Sequence, residues 1–123
     1  MIPFTNQATS EALKELGLPQ IRGSYYWEKG SKRIWHYTDF DFNDESMENL
    51  ARSFSAEELM EWMQNLVPIP KVMLECSTCH SCITMWQAMA DATQVETGKY
   101  WESDVVDNPA EAVAQLILRK DAK

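Results

Sequence analysis

Glycine is scarce in this chain, at 4 of 123 residues, and no glycine-rich loop of the kind that cradles a phosphate occurs. Neither G-x-S-x-G nor H-E-x-x-H is present in a sequence with two histidines, so hydrolase and metalloprotease templates find no match. No stretch approaches the roughly 18 to 20 apolar residues of a membrane span. The opening MIPFTNQATSEALK has neither the basic start nor the apolar run of a signal peptide. A cytoplasmic location and no membrane partner are therefore expected. Positive charge is also short: 11 Lys and Arg face 19 Asp and Glu, for a net charge of −8. Such a balance repels phosphate backbones and anionic lipid, so nucleic acid is not an expected partner and a basic protein surface is. The basic residues group locally at Lys29, Lys32 and Arg33 and again at Arg119, Lys120 and Lys123.

What is present is the composition of a folded domain, with 45% hydrophobic and 24% charged residues. A chain of this length buries roughly two thirds of its unfolded surface, enough for one globular domain over residues 1–123 without a staple. Thr9 is positioned to cap a short helix through Leu16, with Ala12, Leu13 and Leu16 on one face and Gly17 as its left-handed terminator. Ser24–Lys29 and Lys32–Tyr37 flank Gly30-Ser31, a two-residue link suited to a hairpin. That link pairs Lys29 with Lys32, Glu28 with Arg33, Trp27 with Ile34, Tyr26 with Trp35 and Tyr25 with His36. One face then holds Tyr25, Trp27, Ile34 and His36, and the other Tyr26, Glu28, Arg33, Trp35 and Tyr37. Aromatic rings on both faces admit two readings. Either the rest of the fold covers the second face, or Tyr26, Trp35 and Tyr37 form an exposed binding surface.

Met47, Leu50, Ala51 and Phe54 recur at helical spacing, with Glu48 four residues before Arg52, which predicts a short helix. A stronger helix follows, with Ser55 as cap, Glu58 completing a capping box, and Phe54 and Leu59 as a staple. Leu59, Trp62, Met63 and Leu66 form its apolar stripe, and Pro68 and Pro70 end it. Val72, Leu74 and Cys76 alternate with Lys71, Met73 and Glu75, the pattern of a strand. Residues 83–95 suit strand or helix, and the strand is favoured because Glu96-Thr97-Gly98-Lys99 resembles a hairpin turn leading into Tyr100–Val106. Asn108, Pro109 and Glu111 open a final helix that buries Val113, Leu116 and Ile117 and closes on Arg119 and Lys120. The order predicts an α+β domain in which an antiparallel sheet, built from the aromatic hairpin and a three-stranded meander, carries three or four short helices.

All three cysteines and one histidine fall in Cys76-Ser77-Thr78-Cys79-His80-Ser81-Cys82. An odd cysteine count without an export signal argues for reduced thiols rather than a disulfide framework. Zinc favours tetrahedra of sulfur and nitrogen, so Cys76, Cys79, Cys82 and either His80 or the distant His36 form a candidate metal site. Structural zinc sites usually draw a second ligand pair from another segment, and no such pair exists here. The alternative is an ordinary loop with one buried cysteine and no cofactor. Cys76-Ser77-Thr78-Cys79-His80 also spells the haem-attachment pattern, which needs export. Thiol–disulfide exchange would need the C-x-x-C to open a helix in a βαβ setting.

The segments TSEALKELGLP, SYYWEKG, FSAEELMEWM and DNPAEAVAQLILRK, in this order and spacing, resemble small prophage-associated proteins of gut Bacteroidetes that have no established activity. The resemblance spans most of the chain, rests on helix caps and core stripes, and does not include CSTCHSC. It implies a mobile-element setting. Two function classes follow: a non-enzymatic accessory or protein-interaction domain, whose aromatic face could equally serve a homo-oligomer contact, or a small zinc or thiol-redox protein.

Overall fold

The computed structural model describes residues 4–39, 48–65, 71–78, 84–91 and 100–120, and it is an α+β protein. Two compact units form, one of Thr5–Phe54 and one of Met1–Phe4 with Ser55–Lys123.

In the Thr5–Phe54 unit, helix α1 (Gln7–Leu16) precedes strands β1 (Tyr25–Glu28) and β2 (Ile34–His36), a single 3-10 turn (Tyr37–Asp39) and strand β3 (Leu50–Ser53). The helix begins a turn earlier than Thr9 suggests. Asn6 is its cap, and the Asn6 side chain accepts the Thr9 N–H at 2.9 Å; an amide oxygen one turn upstream satisfies an N–H that a Thr9 cap would leave orphaned. Gly17 ends the helix at φ 101°, as its position predicts. The hairpin register is the expected one, with Tyr25 opposite His36, Tyr26 opposite Trp35 and Trp27 opposite Ile34. The link is longer than the expected two-residue turn: Glu28 N–H bonds to the Arg33 carbonyl at 3.0 Å, and Lys29 N–H bonds to the Asn49 carbonyl of the β3 side instead of pairing with Lys32, so residues 29–32 make the connection. Ser31 N–H bonds to the Glu28 carbonyl at 3.2 Å, Gly30 takes φ 77°, and the Gln7 side chain of α1 donates to the carbonyls of Glu28 and Ser31.

The segment around Leu50 is a strand and not the predicted helix, and it pairs antiparallel with β1 to give the order β2-β1-β3. All four residues Leu50–Ser53 are buried, so polar Arg52 and Ser53 face inward beside the apolar positions and erase the alternation that marks a half-buried strand. Met47 lies outside the described residues. With β2 and β3 on its two edges, β1 has no edge left for the meander, and the hairpin and the meander occur in two separate three-stranded sheets rather than one.

The core of this unit holds Leu13, Leu18, Tyr26, Leu50, Ala51 and Phe54. At its chain ends Thr5 N–H bonds to the Phe54 carbonyl at 2.9 Å, while the Thr5 carbonyl accepts Trp27 Nε1–H at 3.0 Å and Ser53 Oγ–H at 2.7 Å. These bonds fix both termini on the sheet.

In the second unit, helix α2 (Ala56–Gln64) carries the predicted capping box between Ser55 and Glu58. Leu59 and Met63 are buried, whereas Trp62 is half-buried. Leu66, Pro68 and Pro70 lie outside the described residues. Strands β4 (Lys71–Thr78), β5 (Thr84–Asp91) and β6 (Tyr100–Glu102) form an antiparallel meander in the order β4-β5-β6, so the strand reading of the 83–95 segment holds over residues 84–91. The turn expected at residues 96–99 lies outside the described residues. Helix α3 (Pro109–Lys120) starts where Asn108 Oδ1 accepts the Ala110 N–H at 2.9 Å. Its Val113, Leu116 and Ile117 are wholly buried, as their spacing predicts.

Past β6 the ladder slips by one residue. Trp86 bridges Val106, and between this bridge and the Met89–Glu102 pair the Ser103 hydroxyl accepts the Ala88 N–H at 2.9 Å. A side-chain oxygen thereby supplies the acceptor that the bulged backbone withdraws.

Candidate functional site

Tyr26, Trp35 and Tyr37 share one face of the hairpin by parity, yet the fold treats them differently. Tyr26 is 0% exposed. Its hydroxyl donates to the Gln20 carbonyl at 2.6 Å and accepts the Gly23 N–H at 2.9 Å, which anchors the 18–23 loop over the sheet. The ring belongs to the core, so the surface part of the expected triad falls to the other two. Trp35 is half-buried at the β2 edge, with the Arg33 guanidinium 4.7 Å from its ring centroid. Tyr37 is 48% exposed at the start of the 3-10 turn and is held there by its N–H bond to the Ser24 carbonyl at 2.9 Å.

The reverse face of β2 carries rings as well. His36 meets Tyr25 edge-on at 5.3 Å between centroids and tilts against Tyr37 at 4.4 Å. Its Nδ1 lies 2.8 Å from Thr38 Oγ1, and its backbone N–H donates to Asp39 Oδ2 at 3.0 Å. Because Glu28 N–H bonds to the Arg33 carbonyl and Tyr37 N–H to the Ser24 carbonyl, residues 33, 35 and 37 aim their backbone groups at β1. Ile34 and His36 aim theirs at the open side of the sheet. Asp39 occupies part of that edge, a common device against indiscriminate strand pairing.

The sequence pattern places Arg52 on a short helix, four residues after Glu48. The side chain is instead 9% exposed, with Nη1 donating to the carbonyls of Pro19 at 3.2 Å and Ile21 at 3.0 Å and the guanidinium 4.5 Å from the Phe54 ring centroid. These contacts hold the loop on which Tyr26 also depends. Across the unit, Glu11, Lys14, Glu15, Lys29, Glu48, Asn49, Leu50 and Ala51 line a cavity of about 430 Å³. Lys14 Nζ donates to the Leu50 carbonyl at 2.7 Å and the Glu48 carbonyl at 3.3 Å. Burial, and then the neighbouring Lys29 ammonium, push the Lys14 pKa below its ordinary value.

Of the expected metal ligands, Cys76 is exposed on β4, opposite Trp86 of β5. Cys79, His80 and Cys82 lie outside the described residues, between the paired Thr78 and Thr84. Among the described residues no group of three or more His, Cys, Asp or Glu side chains converges as a metal site, and no helix is long and apolar enough to cross a membrane. No protein-family model matches the chain, and no curated protein or solved structure gives a significant match.

Proposed function

We propose that the chain is a non-enzymatic interaction domain, an accessory protein of a prophage or other mobile element, that grips a protein partner with the outer edge of its hairpin. The observation that carries this reading is the row Arg33, Trp35 and Tyr37. Arg, Trp and Tyr are the side chains that most often dominate binding energy, and here a stacked Arg–Trp pair and an exposed Tyr stand side by side on one strand edge. A rigid scaffold holds the row, because Gln7 pins the turn at one end and Ser24 fixes Tyr37 at the other. Partner binding loses little conformational entropy when the anchoring rings are already fixed. The test is affinity capture and cross-linking with the wild type and with Trp35→Ala and Tyr37→Ala, each checked for its native circular dichroism. Retention of every wild-type cross-link by both folded variants would remove this reading. A species that is a second copy of the chain would make the same edge a homo-oligomer contact.

The second reading is a small zinc or thiol-redox protein that uses Cys76, Cys79, His80 and Cys82. It is favoured by the pairing of Thr78 with Thr84, which brings both ends of the cysteine-bearing segment together, and by the exposed Cys76 thiol beside it. Elemental analysis of protein purified without metal resin, with thiols counted before and after chelator, decides it. Metal-free protein with freely reactive thiols ends the zinc reading.

A further inference from the structure

We propose that the outer edge of β2 takes up an extended acidic peptide of a partner protein, which adds to the hairpin sheet as a fourth, antiparallel strand. This inference rests on the interaction reading above and names the kind of partner that the edge fits. The two edges of the β2-β1-β3 sheet are treated oppositely. On the β3 side the outward backbone groups are occupied, since the Leu50 carbonyl accepts Lys14 Nζ at 2.7 Å and the Arg52 N–H donates to Gln20 Oε1 at 2.9 Å. On the β2 side the Ile34 N–H and carbonyl and the His36 carbonyl have no partner among the described residues. Every residue from Ser31 to Asp39 keeps contact with solvent, and Lys32, Arg33, Tyr37, Thr38 and Asp39 are exposed.

The His36 N–H is the outward group already engaged, and it donates to Asp39 Oδ2 at 3.0 Å. A carboxylate on an exposed 3-10 turn stands where the carbonyl of a neighbouring strand would stand, and it can be displaced by one. With Asp39 displaced, Ile34 and His36 present two complete pairs of N–H and C=O groups two residues apart, which is the repeat of an antiparallel ladder. Groups at that spacing recognise an extended chain. A helix has its own N–H and C=O groups bonded internally and offers nothing to them.

Charge and register fix the direction and composition of the peptide. Lys29, Lys32 and Arg33 are exposed at the hairpin tip of a chain whose net charge is −8, and Asp39 marks the other end of the edge. An antiparallel peptide brings its C-terminal part to the tip. Trp35 aims its own backbone at β1, so the peptide residue opposite it lies in a closely spaced pair and suits an aromatic or β-branched side chain. Two residues later the peptide meets Arg33, and one further it meets Lys32, where carboxylates are attracted. The recognised pattern is aromatic-x-acidic-acidic. A second copy fits less well, because two Asp39 side chains would have to be displaced and one strongly acidic chain would be brought against another.

The experiment titrates the full chain into the fluorescein-labelled peptide Thr-Val-Thr-Tyr-Thr-Glu-Glu and into two N-methylated forms of it, read by anisotropy. Methyl groups on the threonines that flank the tyrosine block the amides facing Ile34 and His36, whereas methyl groups on the tyrosine and the first glutamate block amides facing away. The first form should bind about tenfold more weakly than the parent, the scale of one or two lost hydrogen bonds, and the second should match the parent. Ile34→Pro removes an outward N–H and no inward one, so it should weaken the parent peptide to a similar degree while the pairing with β1 persists. Asp39→Ala uncovers the His36 N–H and should tighten binding. Equal affinity of the two methylated forms, no binding of the parent, or an Asp39→Ala chain that binds no tighter than the wild type would overturn the proposal. So would a peptide-free dimer, found by sedimentation and dissolved by Ile34→Pro, which gives the edge to a second copy. The methylated peptides leave the protein unchanged, so the test stands even where Ile34→Pro does not fold. Folded Ile34→Pro protein that keeps its Trp35-dependent cross-links ends only the added strand, whereas cross-links indifferent to Trp35 and Tyr37 end the interaction reading itself.

Discussion

A β-carbon placed on Gly23 would lie 2.6 Å from Cγ of Arg52 and 2.7 Å from its Cδ and Nε. The side chain that straps the 18–23 loop down therefore runs through the space that any larger residue at 23 would fill. Gly23→Ala is expected to lower unfolding free energy by about 2 kcal/mol, the ordinary cost of overpacking a buried site. In an Arg52→Ala background the same change should cost much less, since the clash is gone. Gly17→Ala meets no atom within 4 Å, and its cost of about 1 kcal/mol comes from φ 101° alone. Urea unfolding of the four variants separates steric from backbone strain; equal penalties for Gly23→Ala with and without Arg52 would contradict the assignment.

Tyr26→Phe keeps the ring and removes one oxygen. The Gln20 carbonyl then loses its donor and the buried Gly23 N–H its acceptor. The expected loss is about 1 to 3 kcal/mol, with faster hydrogen exchange at Gly23. A melting temperature within error of the wild type would show that water replaces the hydroxyl at no cost.

At the start of α1, Asn6→Ala should cost about 1 kcal/mol and Thr9→Ala a few tenths, because the side chain of Asn6, and not that of Thr9, accepts the orphan N–H. Should Thr9→Ala prove the more harmful in thermal unfolding, the helix would begin where the sequence pattern alone puts it.

Lys14 gives a pH dependence with a defined sign. In the folded chain its ammonium is disfavoured by burial and then by repulsion from Lys29, so its pKa lies below the ordinary 10.5. In the window below 10.5 the unfolded chain binds more protons, and the stability due to this group rises as pH increases through it. The stability difference, wild type minus Lys14→Met, should therefore become more positive as pH rises toward 10.5. A flat or falling difference in urea midpoints would show that the carbonyl contacts of Lys14 outweigh its desolvation.

Much of this fold is legible in the sequence because local chemistry and tertiary packing agree there. Ser55 and Glu58 read as a capping box and form one, Asn108 and Pro109 open α3, and the hairpin register follows from where the turn lies. The failures come where distant partners decide. Leu50–Ser53 shows helical spacing because both faces of β3 are buried, and Arg52 is drawn inward by carbonyls about thirty residues away in sequence. Tyr26 and Trp35 are adjacent across the hairpin and have the same local pattern. Tyr26 lies on the central strand, between β2 and β3 and under the loop carrying Gln20 and Gly23, and is a core residue, whereas Trp35 on the edge strand is half-buried.

The Phe4–Ser55 bridge has a topological meaning. The fifty residues between them begin and end side by side, with Thr5 bonded to Phe54, while Phe4 also receives the Asn108 side chain at 2.9 Å within its own unit. The hairpin-bearing unit is thus an insertion whose entry and exit are neighbouring rungs of a ladder. A gene encoding Phe4 joined to Ser55 through a short linker would omit none of the residues that form the described backbone pairings of the helix-covered meander, because the fifty residues removed begin and end at adjacent positions of one ladder.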